Sequence, residues 1–211
     1  QMCIRDSYQT GGGINSNKGY VRFTNTNTTN TVGSPQYMYW TGGNLAFNAL
    51  TNKGFTIMMY FRCNAQNTAN GFDRIFHLNA GVNPGMISAA GPINGKYFNF
   101  FSSGSSYSTN SVTLTQGQWT LFCGRLDNTA NTFDVIYQTA AGSFTKSSSV
   151  VTATYYNSTI VSNDRGNGLV FAESENYALG DAYFNGDLMR FAVWDRPLSD
   201  TDIQITFNTW I

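Results

Sequence analysis

The sequence predicts an all-β sandwich or jelly roll. Short apolar runs recur along the chain, separated by turns rich in Gly and Asn. Within the runs apolar residues alternate with a period of two, and helical periodicity is confined to the closing segment. At 211 residues the chain fits one large β domain. A chain of that size buries roughly 70% of its unfolded surface, so it needs neither metal nor disulfides to fold.

Charge narrows the partners. Only 11% of residues are charged and the formal net charge is +0, so no basic excess attracts a phosphate backbone and nucleic acid is excluded as a partner. No long apolar run is present, which excludes membrane insertion by a spanning helix. Uncharged polar residues, chiefly Asn, Thr, Ser and Gly, fill the spaces between strands, as in secreted or particle-surface β proteins.

The elements follow in order. Gln1 to Ser7 has no pattern of its own and joins abruptly to Gly11–Gly13, and MCIRDS resembles a translated sequencing-adapter scar. Residues 1–18 are therefore set apart as scar or linker, and the domain is assigned to 19–211. Tyr20 to Phe23 and Tyr37 to Trp40 read as edge strands. Phe55 to Cys63 places Phe55, Ile57, Met59, Phe61 and Cys63 on one face, and Thr56, Met58, Tyr60 and Arg62 on the other. Arg74 to Leu78 is a short strand, and Asn94-Gly95 is a hairpin signal before Lys96 to Phe101. Trp119 to Leu126 is apolar on both faces, as a central strand would be; Asp127 to Asn131 turns, and Phe133 to Gln138 returns. Ala141-Gly142 turns again into Ser143 to Thr145, and Leu169 to Ala172 and Leu188 to Trp194 close the strands. The stop at Asp195-Arg196-Pro197 leads to Ser199-Asp200-Thr201-Asp202. That is a helix start, with Ser199 able to cap free N–H groups and acidic residues suited to the helix dipole.

The closing segment, DAYFNGDLMRFAVWDRPLSDTDI, resembles that of the concanavalin A-like lectin/glucanase superfamily, in its laminin-G-like jelly-roll domains. There an F-x-G-x-I stretch enters the last long strand and a W-(D/N)-R-x-L-S-x-x-(E/D)-I turn leaves it. The matching residues are Phe184, Gly186, Leu188, Trp194, Asp195, Arg196, Leu198, Ser199, Asp202 and Ile203. GFTIMMYFR, with Tyr60 in the usual Trp position, DRIFHLNAG, and GQWTLFCGRLDNTANTFDVIYQTAAG, with Leu121 in the usual His position, are similar to further stretches of the family. The resemblance implies a jelly-roll sandwich of two antiparallel sheets with one short C-terminal helical turn. It also implies a lectin-like, non-catalytic binding module, extracellular or on a virion or cell surface, with glycans or surface proteins as partners. The alternative is a structural or adhesion module that binds protein.

The carboxylates bear on catalysis. Glucanases of this fold carry E-x-D-x-x-E or E-x-D-x-E on a strand, with the working pair about 5–5.5 Å apart for a retaining mechanism. The chain's two glutamates, Glu173 and Glu175, are correctly alternated, but Tyr177 stands where the next same-face carboxylate would be, so the chain is not expected to be an enzyme. His77 lies in an apolar strand without a Ser or Cys motif and reads as a strand histidine rather than a base or ligand. Cys63 and Cys123 read as buried free thiols, with a disulfide between them as the alternative.

Sugars present apolar C–H faces and a rim of hydroxyls, so a site wants exposed aromatic rings beside amides or guanidiniums. The candidates are Tyr60 and Arg62 on one strand face, Tyr97 and Asn99 on another, Arg125 near the end of its strand and Tyr107 in a polar loop, with Tyr155 and Tyr156 beside Asn157. No cofactor is required by the pattern. Calcium is a candidate because Ser162 to Gly168 offers oxygen ligands and tight-turn glycines, with Asp164 and Asn167 as the ligands, although an ordinary surface turn has the same composition.

Overall fold

Alternating apolar and β-branched residues draw most of the chain into strands, and the turns fold these strands back on one another. The computed structural model describes the backbone of residues 2–4, 7–9, 19–24, 38–40, 54–65, 73–78, 87–90, 99–102, 105–108, 115–139, 144–150, 169–171 and 182–211. Side-chain surroundings are described for 19–24, 54–64, 75, 115–139, 144–150 and 184–211. The strands are β1 (Met2–Ile4), β2 (Ser7–Gln9), β3 (Tyr20–Thr24), β4 (Met38–Trp40), β5 (Phe55–Ala65), β6 (Asp73–Leu78), β7 (Ile87–Ala90) and β8 (Asn99–Ser102). They continue with β9 (Ser105–Ser108), β10 (Trp119–Asp127), β11 (Thr132–Thr139), β12 (Thr145–Val150), β13 (Leu169–Phe171), β14 (Ala182–Tyr183) and β15 (Asn185–Trp194), and one helix follows, α1 (Asp200–Trp210).

Two sheets form the jelly-roll sandwich. The first runs β1-β4-β13-β6-β7-β8-β9 with β14 beside β6; the second runs β12-β11-β10-β5-β15-β3-β2. Among the described pairings only β14 with β6 is parallel. Residues 2–4 and 7–9, from the segment set apart in the sequence, pair with β4 and β3.

The central strands of the second sheet are buried on both faces. Register aligns Phe55, Ile57, Met59 and Phe61 of β5 with Leu126, Gly124, Phe122 and Thr120 of β10, and Val135 of β11 with Gly124, on the face turned into the sandwich. The opposite, outer face carries Met58, Tyr60, Leu121, Cys123 and Ile136, which cluster with Leu198 and with Ile203 and Phe207 of α1. Tyr60 was expected on an open sheet face. It is 1% exposed because α1 and its approach cover that face. The two cysteines fall on opposite faces of the second sheet, so the disulfide alternative is excluded; both are free and buried. Burial pushes the Cys123 thiol well above its ordinary pKa, which leaves it an inert apolar residue.

The closing motif has a packing explanation. A Cβ at Gly186 would fall inside van der Waals contact with the Phe184 ring and the Arg62 carbonyl. Phe184 lies against Phe61 and Phe23, with ring centroids 6.2 and 6.1 Å away, so its ring occupies the space a side chain at 186 would need. Further along, buried Thr56 donates from Oγ1 to the Arg196 carbonyl (2.9 Å) and accepts from the Leu198 N–H (2.8 Å), which pins the turn after β15. Ser199 then caps α1. Its Oγ accepts from the Asp202 N–H at 3.0 Å and donates to the Asp202 carboxylate at 2.8 Å. The helix runs for 11 residues where one short turn was expected, because Ile203 and Phe207, four apart, give it a buried face.

Gly186→Ala is expected to destabilise the fold by about 1–3 kcal/mol through overpacking against Phe184. Thermal unfolding followed by circular dichroism reads this directly; an unchanged midpoint would mean that both the Phe184 ring and the Arg62 carbonyl yield at no cost.

Candidate functional site

The outer face of the second sheet gathers its charged residues at two ends. At one end the β10–β11 turn meets the start of α1. Asp127 Oδ1 accepts from the N–H groups of Thr129 (2.8 Å) and Ala130 (3.0 Å), and Asn131 takes a left-handed φ of 53°, which closes the turn back into β11. Between this turn and Pro197-Leu198-Ser199 lies a cleft of about 450 Å³, which reaches across to Lys146 and Ser148 of β12.

The floor of the cleft is an ion-pair network. Arg125 donates to Asp134 from Nε (2.8 Å) and Nη2 (2.5 Å), and from Nη1 to the Leu198 carbonyl (2.6 Å) and the Asp200 carboxylate (2.8 Å). Ser148 donates to Asp134 at 2.5 Å, and Lys146 lies 3.2 Å from Asp200. Burial alone would raise the Asp200 carboxyl, but hydrogen bonds and charge from Lys146 and Arg125 outweigh it and hold the pKa below its ordinary value. The cations are thus matched by carboxylates. The lining also includes the hydroxyls of Thr132, Ser148 and Ser199, the Lys146 ammonium and the Asp127 carboxylate, with Ser148 donating to Asp134 and Ser199 to Asp202. No aromatic ring lines the cleft among the described residues. The described groups can exchange hydrogen bonds with a polyhydroxylated ligand, and none of them offers a ring to stack on.

At the other end, two arginines converge on one carboxylate. Asp187 has a side-chain exposure of 0% and receives Arg22 Nε on one oxygen at 2.8 Å and Arg62 Nη2 on the other at 2.5 Å. Burial pushes the Asp187 carboxyl upward, and hydrogen bonds from Arg22, Arg62 and Asn64 more than reverse that, leaving it below the ordinary 3.8. Aromatic rings hold the guanidiniums in place: Arg62 lies 4.8 Å from the Trp119 ring centre and 5.7 Å from that of Tyr20, and Arg22 lies 5.2 Å from Tyr20.

The sequence candidates divide accordingly. Arg62 belongs to this second group, and its side chain is 20% exposed. Arg125 lines the cleft, but its N–H groups are committed to Asp134, Asp200 and Leu198, so it positions the cleft rather than serving as an open contact. Tyr60 is closed off beneath α1. Its hydroxyl has no partner among the described residues, and burial pushes its pKa up to about 12. Asn99 and Tyr107 lie on neighbouring strands of the first sheet, where Asn99 pairs with Ser108 and Tyr107 with Phe100, away from both charged groups. His77 sits in β6, between β13 and β7. Tyr97, Tyr155, Tyr156, Asn157, Glu173, Glu175, Asp164 and Asn167 lie outside the described residues. Among the described residues no group of three His, Cys, Asp or Glu side chains converges as a metal site. Sequence reasoning missed Arg22, Asp134, Asp187 and Arg190. The available signal was a lone charge inside an apolar strand, which needs a partner across the sheet.

A two-sheet sandwich carrying a polar cleft is an architecture of lectin-type binding domains. The chain belongs to the concanavalin A-like lectin/glucanases superfamily, whose laminin-G family model matches residues 15–204. A comparison with curated protein sequences found no match. Among solved structures, the whole chain aligns with 46% of a chain of botulinum neurotoxin type C, a toxin that depends on interaction with two ganglioside molecules to enter cells, at 13% identity and a TM-score of 0.64. It aligns in full with 47% of the binding domain of botulinum neurotoxin DC in complex with rat synaptotagmin II (13% identity, TM-score 0.64). The same binding domain in complex with SialylT is matched at 12% identity and a TM-score of 0.65, again over 47% of its length. The chain thus spans about half the length of these neighbours, and the likeness establishes the fold. No helix among the described residues is long and apolar enough to cross a membrane.

A carboxyl whose folded pKa is depressed adds stability above its unfolded pKa and loses it as pH falls through the folded value. For Asp187 that window lies below 3.8. The stability gap between the wild type and Asp187→Asn is therefore expected to be widest near about pH 6 and to close toward about pH 2. Denaturant unfolding across that range measures it; a gap independent of pH would mean that the Arg22 and Arg62 bonds do not stabilise the charged form.

Proposed function

We propose that this chain is a non-catalytic glycan-recognition module acting outside the cell. The observation that carries the reading is the cleft beside α1. Its volume of about 450 Å³ suits a small saccharide. Its lining carries hydroxyls and charged groups of the kind that pair with sugar hydroxyls, while its buried carboxylate, Asp134, accepts hydrogen bonds from Arg125 and Ser148. Membership of a lectin-containing superfamily supports it, as does likeness in fold to toxin binding domains that engage a ganglioside or a protein receptor. Extracellular placement rests on the same neighbours.

One neighbour is bound to a protein, so a structural or adhesion module with a protein partner is the second reading. A protein interface of that kind calls for a broad apolar patch. The exposed large apolar side chains among the described residues are Val150, Ile205 and Ile211, too few to form one, which favours the glycan.

A broad glycan array, run with calcium and with a chelator, tests the proposal. Binding to a defined sugar class is expected, weakened about tenfold (about 1.4 kcal/mol) by Lys146→Ala. Loss of binding with chelator would assign a calcium ion to the turn holding Asp164 and Asn167. A blank array at high protein concentration would favour the protein-binding reading, and release of reducing sugar from a bound glycan would overturn the non-catalytic one.

A further inference from the structure

We propose that the outer face of the second sheet beside Asp187 is a separate subsite for an anionic sugar group, a carboxylate or a sulfate ester. The saccharide part rests on the glycan reading above; the anion part stands on the geometry alone.

Charge is distributed unevenly along this face. Arg125 and Lys146 are matched by Asp134 and Asp200 at the cleft. Around Asp187 the balance differs, because a third arginine joins Arg22 and Arg62. The β5–β15 register shifts between Leu188 and Arg190, so Met189 is an extra residue in the ladder. Leu188 pairs with Phe61 on the inner face, whereas Arg190 pairs with Tyr60 on the outer face that holds Asp187. Strict alternation would have put Arg190 on the side of Leu188, inside the sandwich; the bulge re-aims it outward. Arg190 is exposed and has no ion-pair partner among the described residues. Among the described residues, three guanidiniums thus share this face with one carboxylate, an excess of positive charge in a chain of formal net charge +0.

The layering favours an incoming anion. The Asp187 carboxylate is sealed at 0% exposure, while the Arg22 and Arg62 side chains are 34% and 20% exposed, so solvent meets guanidinium edges rather than the carboxylate. Each arginine spends Nε and Nη2 on Asp187, and its Nη1 group has no partner among the described residues. Tyr20, Trp119 and Asp187 fix both side chains before any ligand arrives, so little rotamer entropy remains to be lost on binding. Planar guanidinium donors fit carboxylate and sulfate oxygens. Tyr20 and Trp119 are themselves buried beneath the arginines, so selectivity here comes from charge and not from ring stacking.

Titration of the arginine Nε–H resonances with lactose, sialyllactose, 3′-sulfated lactose and inorganic sulfate tests this. Both charged lactoses are expected to bind at least about tenfold more tightly than lactose, with the advantage shrinking as salt is raised. Their ranking tells which of the two anionic groups the site prefers. Arg190→Glu should abolish that advantage without moving the thermal midpoint. Response to inorganic sulfate with no response to any saccharide would uphold the anion site while removing the glycan reading. Equal binding of charged and neutral lactose, an Arg190→Glu variant that still prefers the charged sugars, or silence toward every probe including sulfate would overturn the inference.

Discussion

The central pair of strands, β5 and β10, is apolar on both faces, and one partner sheet covers only one of them. Met58, Tyr60, Leu121 and Cys123 would otherwise face water. At roughly 25 cal/mol per Å² of apolar surface, leaving several such side chains exposed would cost an amount comparable to a domain's usual margin of stability. The chain meets this constraint by returning after β15 and laying α1 across the outer face through Leu198, Ile203 and Phe207. Several other features follow. Thr56 must pin the turn at Arg196 and Leu198, Ser199 must start a helix immediately, and the gap left between that helix start and the β10–β11 turn becomes the cleft.

The same arrangement decides what each arginine can do. Arg125 sits where α1 begins and is drawn into the seam, donating to the Leu198 carbonyl and to the first-turn Asp200. A cation at a helix N-terminus opposes the helix dipole, and Asp200 and Asp202 in the first turn offset it. Arg22 and Arg62 neutralise Asp187 from both sides and stay 34% and 20% exposed. Lone charges in apolar strands therefore have two outcomes on one sheet: closure under the helix, or display beside it.

Much of the fold was legible because its signals are local. The period-two runs placed β5, β10, β11 and β15 to within a few residues, the Asp127–Asn131 turn was read from its composition, and Ser199 with Asp202 announced the helix. Alternation in β5 sorted its residues into the two observed faces, but a period of two does not say what lies over a face, and so Tyr60 was placed in solvent when α1 covers it. The bulge at Met189 leaves no mark on the apolar pattern, yet it reverses the facing of Arg190 and Trp194. Partners of the charged residues were invisible for a different reason. Arg22 and Asp187 are 165 residues apart, and only the placement of β3 beside β15 brings them together.

The residues that reveal the family are tied to packing rather than to recognition. Phe184 and Gly186 fit one another because the ring fills the space of the missing side chain. Leu198 and Ile203 are buried, Ser199 and Asp202 cap a helix, and Arg196 takes part through its backbone carbonyl. Of the closing-motif residues only Leu198 and Ser199 line the cleft, and none supplies a guanidinium around Asp187, so the motif can be kept while those surfaces change. For that reason a shared fold does not fix a ligand. On the outer face of the second sheet, among the described residues, a cleft of paired charges and an arginine-rich surface stand at opposite ends.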